Sequence, residues 1–176
     1  FGSHSLGANS TGYRNVAVGR EAMFSNTTAI DNTAVGTTAL YSNTTGNANT
    51  GVGRQAIYTN TTGSNNTAVG YNALDDSTTA SNNTAVGKSA LTATTTGPYN
   101  TAVGHEAMEV NTTGTQNVAI GAFALDDSTT ANGNTAIGYA SLSANTTGTF
   151  NAAVGMDCLL NNSTGSYNTA MGRKTM

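Results

Sequence analysis

Charge is what this chain has least of. Lys, Arg, Asp and Glu make up 9% of its 176 residues and the formal net charge is −3, whereas globular chains carry ~25% charged residues. So weak a field, and of this sign, argues against a nucleic-acid partner, which needs a basic face. Tryptophan is absent, and there is one proline, one cysteine (Cys158) and two histidines, His4 and His105. A lone cysteine closes no disulfide within the chain and builds no metal cluster. The histidines stand too far apart in the sequence to share a zinc ion or a proton. No apolar run approaches the ~18 residues of a membrane span, so no membrane insertion is expected. Neither the P-loop nor the G-x-G-x-x-G phosphate loop is present. No catalytic residue, metal ligand or cofactor is expected, and the chain does not read as an enzyme.

What the chain has instead is repetition. A glycine falls every 17 residues without insertion or deletion, at Gly19, Gly36, Gly53, Gly70, Gly87, Gly104, Gly121, Gly138, Gly155 and Gly172, with Gly2 extending the series backwards. The repeat reads N-T-A-V-G-x-x-A-L-x-x-N-T-T-G-x-x. A strict period of this length marks a solenoid, in which each repeat is one turn stacked on the last. The unit is too short for a helical hairpin, and apolar residues never recur at i, i+3, i+4 and i+7. Thr and Val favour strands while Asn and Gly favour turns. The fold class is therefore all-β, a parallel β-solenoid (β-roll) of ten 17-residue turns, with residues 1–176 forming a single array. N-T-A-V-G is expected as one strand, x-x-A-L-x as a second and N-T-T-G as a tight return. At ~4.8 Å per turn the rod is ~48 Å long.

Two apolar columns read as core stripes: one residue before each glycine, including Val35, Val52, Val69, Val86, Val103 and Ile120, and four after it, including Leu40, Leu74, Leu91 and Leu125. On this reading Val86→Asp splits the cooperative unit. Small residues flank both stripes. With about one Val and one Leu to bury per turn, at ~1.5–3 kcal/mol each, lateral association is expected, the alanine columns letting backbones approach. An asparagine column free of exceptions, including Asn32, Asn49, Asn66, Asn83, Asn100, Asn117 and Asn134, is expected to form an amide ladder.

The segments Asn66–Leu74 and Asn83–Leu91 resemble the head repeats of the YadA-like trimeric autotransporter adhesins and the repeat arrays of phage tail fibres. The resemblance spans the whole chain. It implies a left-handed β-roll, three chains around a common axis, and an extracellular fibre on a virion or cell surface that attaches to a host glycan or protein receptor. The adhesin repeat is usually shorter than 17 residues, and no neck, coiled-coil stalk or anchor barrel accompanies it here. The ends fall in mid-repeat without polar caps, which reads as a segment of a longer fibre or one unit of a filament of like chains.

The remaining features carry two readings each. Phe24, Tyr41 and Tyr58, five after the glycine in successive turns, suit either interchain packing or a sugar-binding platform. The basic residues just after the glycine (Arg20, Arg54, Lys88, His105, Arg173) suit an anionic strip or a solvated rim, and Glu21 and Glu106 favour the rim. Asp75-Asp76 and Asp126-Asp127, in the phrase A-L-D-D-S-T-T-A, read as solvated turns rather than calcium sites, since calcium wants six or more oxygens. Seven sequons share one column, at Asn9, Asn26, Asn43, Asn60, Asn111, Asn145 and Asn162. Glycans ~4.8 Å apart would collide there. The competing function is ice binding through threonine and asparagine ladders, weakened because the paired threonines sit in a turn and not on a flat face.

Overall fold

The computed structural model describes residues 1–176, and it is a solenoid without a helix. Its ten strands are β1 (Val16–Val18), β2 (Thr33–Val35), β3 (Thr50–Val52), β4 (Thr67–Val69), β5 (Thr84–Val86), β6 (Thr101–Val103), β7 (Val118–Ile120), β8 (Thr135–Ile137), β9 (Ala152–Val154) and β10 (Thr169–Met171). They form one parallel sheet in sequence order. The register is the repeat itself: Thr67 pairs with Thr84, Ala68 with Ala85 and Val69 with Val86. Parallel neighbours need a crossover of a dozen or more residues, and the other 14 residues of each turn, such as 19–32, supply it. Each strand ends at the column glycine, whose φ of 124–145° along the array turns the chain out of the sheet.

Outside the strands the stack is still hydrogen-bonded from turn to turn. Leu40 N–H donates to Ala56 O at 3.0 Å, Ser42 to Tyr58 at 3.0 Å and Thr44 to Thr61 at 3.0 Å. The expected second strand is absent, because A-L lies in a turn. Ala39 N–H donates to Gly36 O at 3.3 Å, and Thr38, third of that four-residue turn, has φ 54°, as a type II turn requires. Leu40 follows at φ 52°. Residues of positive φ recur here at every second position, Thr38 and Leu40, so no regular pleat can form. The sequence concealed this, since Leu, Met and Ile are not residues that favour positive φ.

The core corrects one of the two expected stripes. Leu40, Leu74, Leu91 and Leu125 are completely buried. Val35, Val69 and Ile120, however, are 37–40% exposed, and Val52, Val86 and Val103 are only half-buried. Strand side chains alternate, so N-T-A-V must send Asn and Ala to one face and Thr and Val to the other; the face turned inward is that of Asn and Ala. The reason is width. A methyl added at Gly51, in the alanine column, would stand 3.5 Å from Leu40 Cγ and 3.1 Å from Ala56 O. The leucine ladder thus packs directly on the strand backbone and leaves room for Ala, not Val. The alanines, expected as the lateral surface, belong to a core cluster with the leucines.

Candidate functional site

Two ladders of side-chain amides run through the interior, and both are built from the turn upward. In the exception-free column, Asn49 Oδ1 accepts from the backbone N–H of Asn66 at 3.0 Å, and Asn49 Nδ2 donates to Gly63 O at 2.8 Å. The same two bonds recur at Asn66, Asn83, Asn100, Asn117 and Asn134, at 2.8–3.0 Å. Each amide therefore ties its own turn to the next by one donor and one acceptor. These asparagines are buried, with donor and acceptor engaged, so the column holds turns together and presents nothing to a ligand.

A second ladder occupies the sequon column. Asn26 donates to Asn9 Oδ1 at 2.7 Å, Asn43 to Asn26 at 3.3 Å and Asn60 to Asn43 at 2.8 Å. Each of Asn43 and Asn60 also donates to the carbonyl three residues on, at 2.9 and 3.0 Å. Asn26, Asn43, Asn60, Asn111 and Asn145 are buried, so a glycan on any of these five is incompatible with the fold. The ladder breaks where the column carries Ser77 and Ser128. Asn60 Oδ1 and Ser77 Oγ are buried without a partner, and so are Asn111 Oδ1 and Ser128 Oγ. The sequence signal was present in the A-L-D-D-S-T-T-A phrase, but it drew attention to the carboxylates instead of the serine.

The first carboxylate of each Asp-Asp pair is not the solvated turn group expected, since Asp75 Oδ1 and Asp126 Oδ1 are buried without a hydrogen-bond partner. Asp75 is pushed up to about 6 by burial first and by the adjacent Asp76 charge second. Asp126 is likewise raised to about 6, by burial, then Asp127, with a smaller contribution from Glu109. Opposing these, backbone N–H groups at Asp126 and Asp127 stabilise its charge. No group of three or more His, Cys, Asp or Glu side chains is placed to hold a metal ion.

The aromatic row is brought together as a stack of half-buried rings. Phe24 and Tyr41 stack at 5.4 Å and 10°, and Tyr41 and Tyr58 at 5.1 Å and 21°. Stacking at one ring per turn covers the faces between neighbouring rings and leaves ring edges along the side of the row. In the other corner Phe150 and Tyr167 stack at 5.3 Å. The basic residues after the glycine are largely compensated. Lys88 Nζ lies 3.3 Å from Glu106 and His105 Nε2 3.2 Å from the same carboxylate. Arg20 lies 3.8 Å from Glu21, and Arg54 sits over the Tyr71 ring at 5.4 Å. Cys158 is buried in the small-residue column, its thiol 3.4 Å from Ala170 O.

What remains as a candidate site is the outer face of the ten-stranded sheet. Thr33, Thr50, Thr67, Thr84 and Thr101 form one rank, and Val35, Val52, Val69, Val86, Val103, Ile120, Ile137 and Val154 the next. Both ranks point out of the solenoid, and neither contains a charge. In the valine rank Val18, Val35, Val69, Ile120 and Ile137 are 37–40% exposed and Met171 77%, while Val52, Val86, Val103 and Val154 are half-buried; together they leave on the order of 500 Å² of apolar surface in one strip, at or above what a monomer ordinarily shows. This surface was legible as a pattern, T-x-V, but not as an outside.

No helix is long and apolar enough to cross a membrane. No family model matches the chain, and neither the curated proteins nor the solved structures gave a match.

Proposed function

We propose that this chain is a structural and adhesive fibre module of a phage or bacterial surface, a stiff rod that sets reach by its number of turns and carries no chemistry. The observation behind this reading is the pair of inter-turn amide ladders, with the turn-to-turn backbone bonds around them. Together they tie every turn to its neighbours and spend the interior polar groups on the axis of the rod. Bending the stack at any level strains hydrogen bonds on several sides of the cross-section at once. The resemblance to adhesin head and tail-fibre repeats supports the same reading, including three chains about a common axis, a left-handed roll and an extracellular location. A host glycan or protein is then the distal partner.

The test is length against turn count together with attachment. X-ray scattering from the purified chain should give a rod of ~48 Å for ten turns at ~4.8 Å each. Removing residues 84–117, two whole turns, should shorten it by ~10 Å with the spectrum unchanged. Binding of the labelled chain to host cells or matrix should exceed that of a scrambled-repeat control. A flexible particle whose length ignores turn number sinks the rod, and no binding above control sinks the adhesive half.

Ice binding is the second reading, and one observation favours it. The strand threonines, unlike those of the turn, lie in register on the outer face of the sheet in a T-x-V array ~4.8 Å apart. Thermal hysteresis by the single chain, abolished by Thr67→Lys, would transfer the assignment to ice.

A further inference from the structure

We infer that the outward Thr/Val face of the sheet is where copies of this chain join, so that the surface of self-association is the strand face and not the alanine columns. The inference rests on the fibre reading for its lateral partners, but its location comes from burial alone. Alanine columns that lie in the core, such as Ala34, Ala68, Ala85 and Ala102, are fully buried and can touch no neighbour. Val18, Val35, Val69, Ile120 and Ile137 are 37–40% exposed although nothing polar replaces them anywhere in the rank.

Three properties of the face select a second copy as its occupant. Its apolar rank runs in register through all ten strands, so an identical rank has a matching residue at every turn. Charge is absent from both ranks, which removes the repulsion that identical surfaces otherwise meet. The threonine hydroxyls both donate and accept, so a threonine rank can pair with its own kind. The two ranks together expose on the order of 1,000 Å² per chain, which reaches the ~800 Å² per partner of a stable interface. The strip is narrow relative to its length, so a cyclic arrangement about an axis parallel to the rod buries it in every copy and keeps equivalent strands level.

The experiment compares the native mass of the unaltered chain with that of a Val69→Lys, Val86→Lys, Val103→Lys variant by sedimentation equilibrium, with circular dichroism and X-ray scattering on both. The expected result is several chains for the unaltered protein and one for the variant, with the same β spectrum and rod length. A single-chain mass for the unaltered protein overturns the inference while leaving the rod intact, as the scattering length would show. A multi-chain mass that survives the three lysines overturns the location of the interface. Should the lysine variant fail to fold, Val86→Cys supplies a second reading. Copies joined at this face give a disulfide-linked pair on mild oxidation, and a chain that stays uncrosslinked refutes it. The native Cys158 is buried and does not compete.

Discussion

Replacing Ser77 by Asn and Ala80 by Gly together should make the protein more stable, although each change alone should do little or harm. In unbroken turns the asparagine of the sequon column donates to the amide of the turn before, as Asn60 does to Asn43 at 2.8 Å. At Ser77 that donor is missing, and Asn60 Oδ1 and Ser77 Oγ are both buried and unpartnered. Leaving such a group unsatisfied costs ~1–3 kcal/mol. The partner change follows from space: a methyl placed on Gly63 would run into the Asn60 side-chain oxygen, and the same holds for Gly46 against Asn43 and Gly114 against Asn111. In the Ser77 turn the corresponding residue is Ala80, whose methyl takes the volume that an asparagine oxygen fills elsewhere. Asn26 with Ala29 shows the compromise, since its bond to the Ala29 carbonyl stretches to 3.4 Å. Against the restored bonds stand ~0.5–1 kcal/mol of backbone entropy for the new glycine and ~0.8 kcal/mol for the buried methyl. A net gain of ~1–2 kcal/mol remains, or roughly 2–8 °C in Tm for a chain of this size. Thr94 Oγ1 then lies next in the column to receive the ladder. The assay is a double-mutant cycle by thermal unfolding, with Ala80→Gly alone destabilising by ~1–2 kcal/mol. Additivity of the two single changes would refute the reasoning, because the claim is that Asn and the methyl compete for one space; so would a double variant less stable than the parent.

Gly36→Ala should be severely destabilising, since Gly36 sits at φ 141° and an added methyl would strike the Gly53 carbonyl oxygen; unfolding of the variant at or near the parent temperature would contradict this. Ala48→Asn should raise stability by up to ~1 kcal/mol, because Ala48 is held at φ 55°, a region asparagine tolerates better, and chemical denaturation measures it. Stability should fall as pH rises through about 6. Asp75 and Asp126 titrate near that value in the fold but near 3.9 when unfolded, so between those values the folded state holds more protons and loses stability as they leave. Melting at pH 5 and pH 7.5 checks the direction, and Asp75→Asn with Asp126→Asn should flatten the difference. Ala85→Asp should unfold the middle of the array, since Ala85 is fully buried, whereas Val86→Asp should leave the single chain folded; equal damage from the two would refute the inside-outside assignment.

The 17-residue period by itself determined most of this protein. A fixed spacing with no insertion forces identical turns, identical turns stack in register, and the strand pairing Thr67 to Thr84 is the repeat read across the sheet. The exception-free asparagine column was legible as a ladder for the same reason, because a side chain present at every level bonds most economically to its own image. The parity of the strand was legible too, Thr and Val on one side and Asn and Ala on the other. Which side faces inward was decided only in three dimensions. Hydrophobicity alone favours burying Val, yet the cross-section admits one large apolar side chain per turn. Leu40 and its counterparts fill that space from the opposite wall, leaving 3.5 Å between Leu40 Cγ and a methyl at position 51. The left-handed residues were equally hidden: Met23, Leu40 and Ile57 at φ 52–55° go against local preference. They hold there because bonds to the next turn, such as Leu40 N–H to Ala56 O at 3.0 Å, lock the backbone. Sequence fixed what repeats; packing across a narrow interior chose which face of each repeat became the surface.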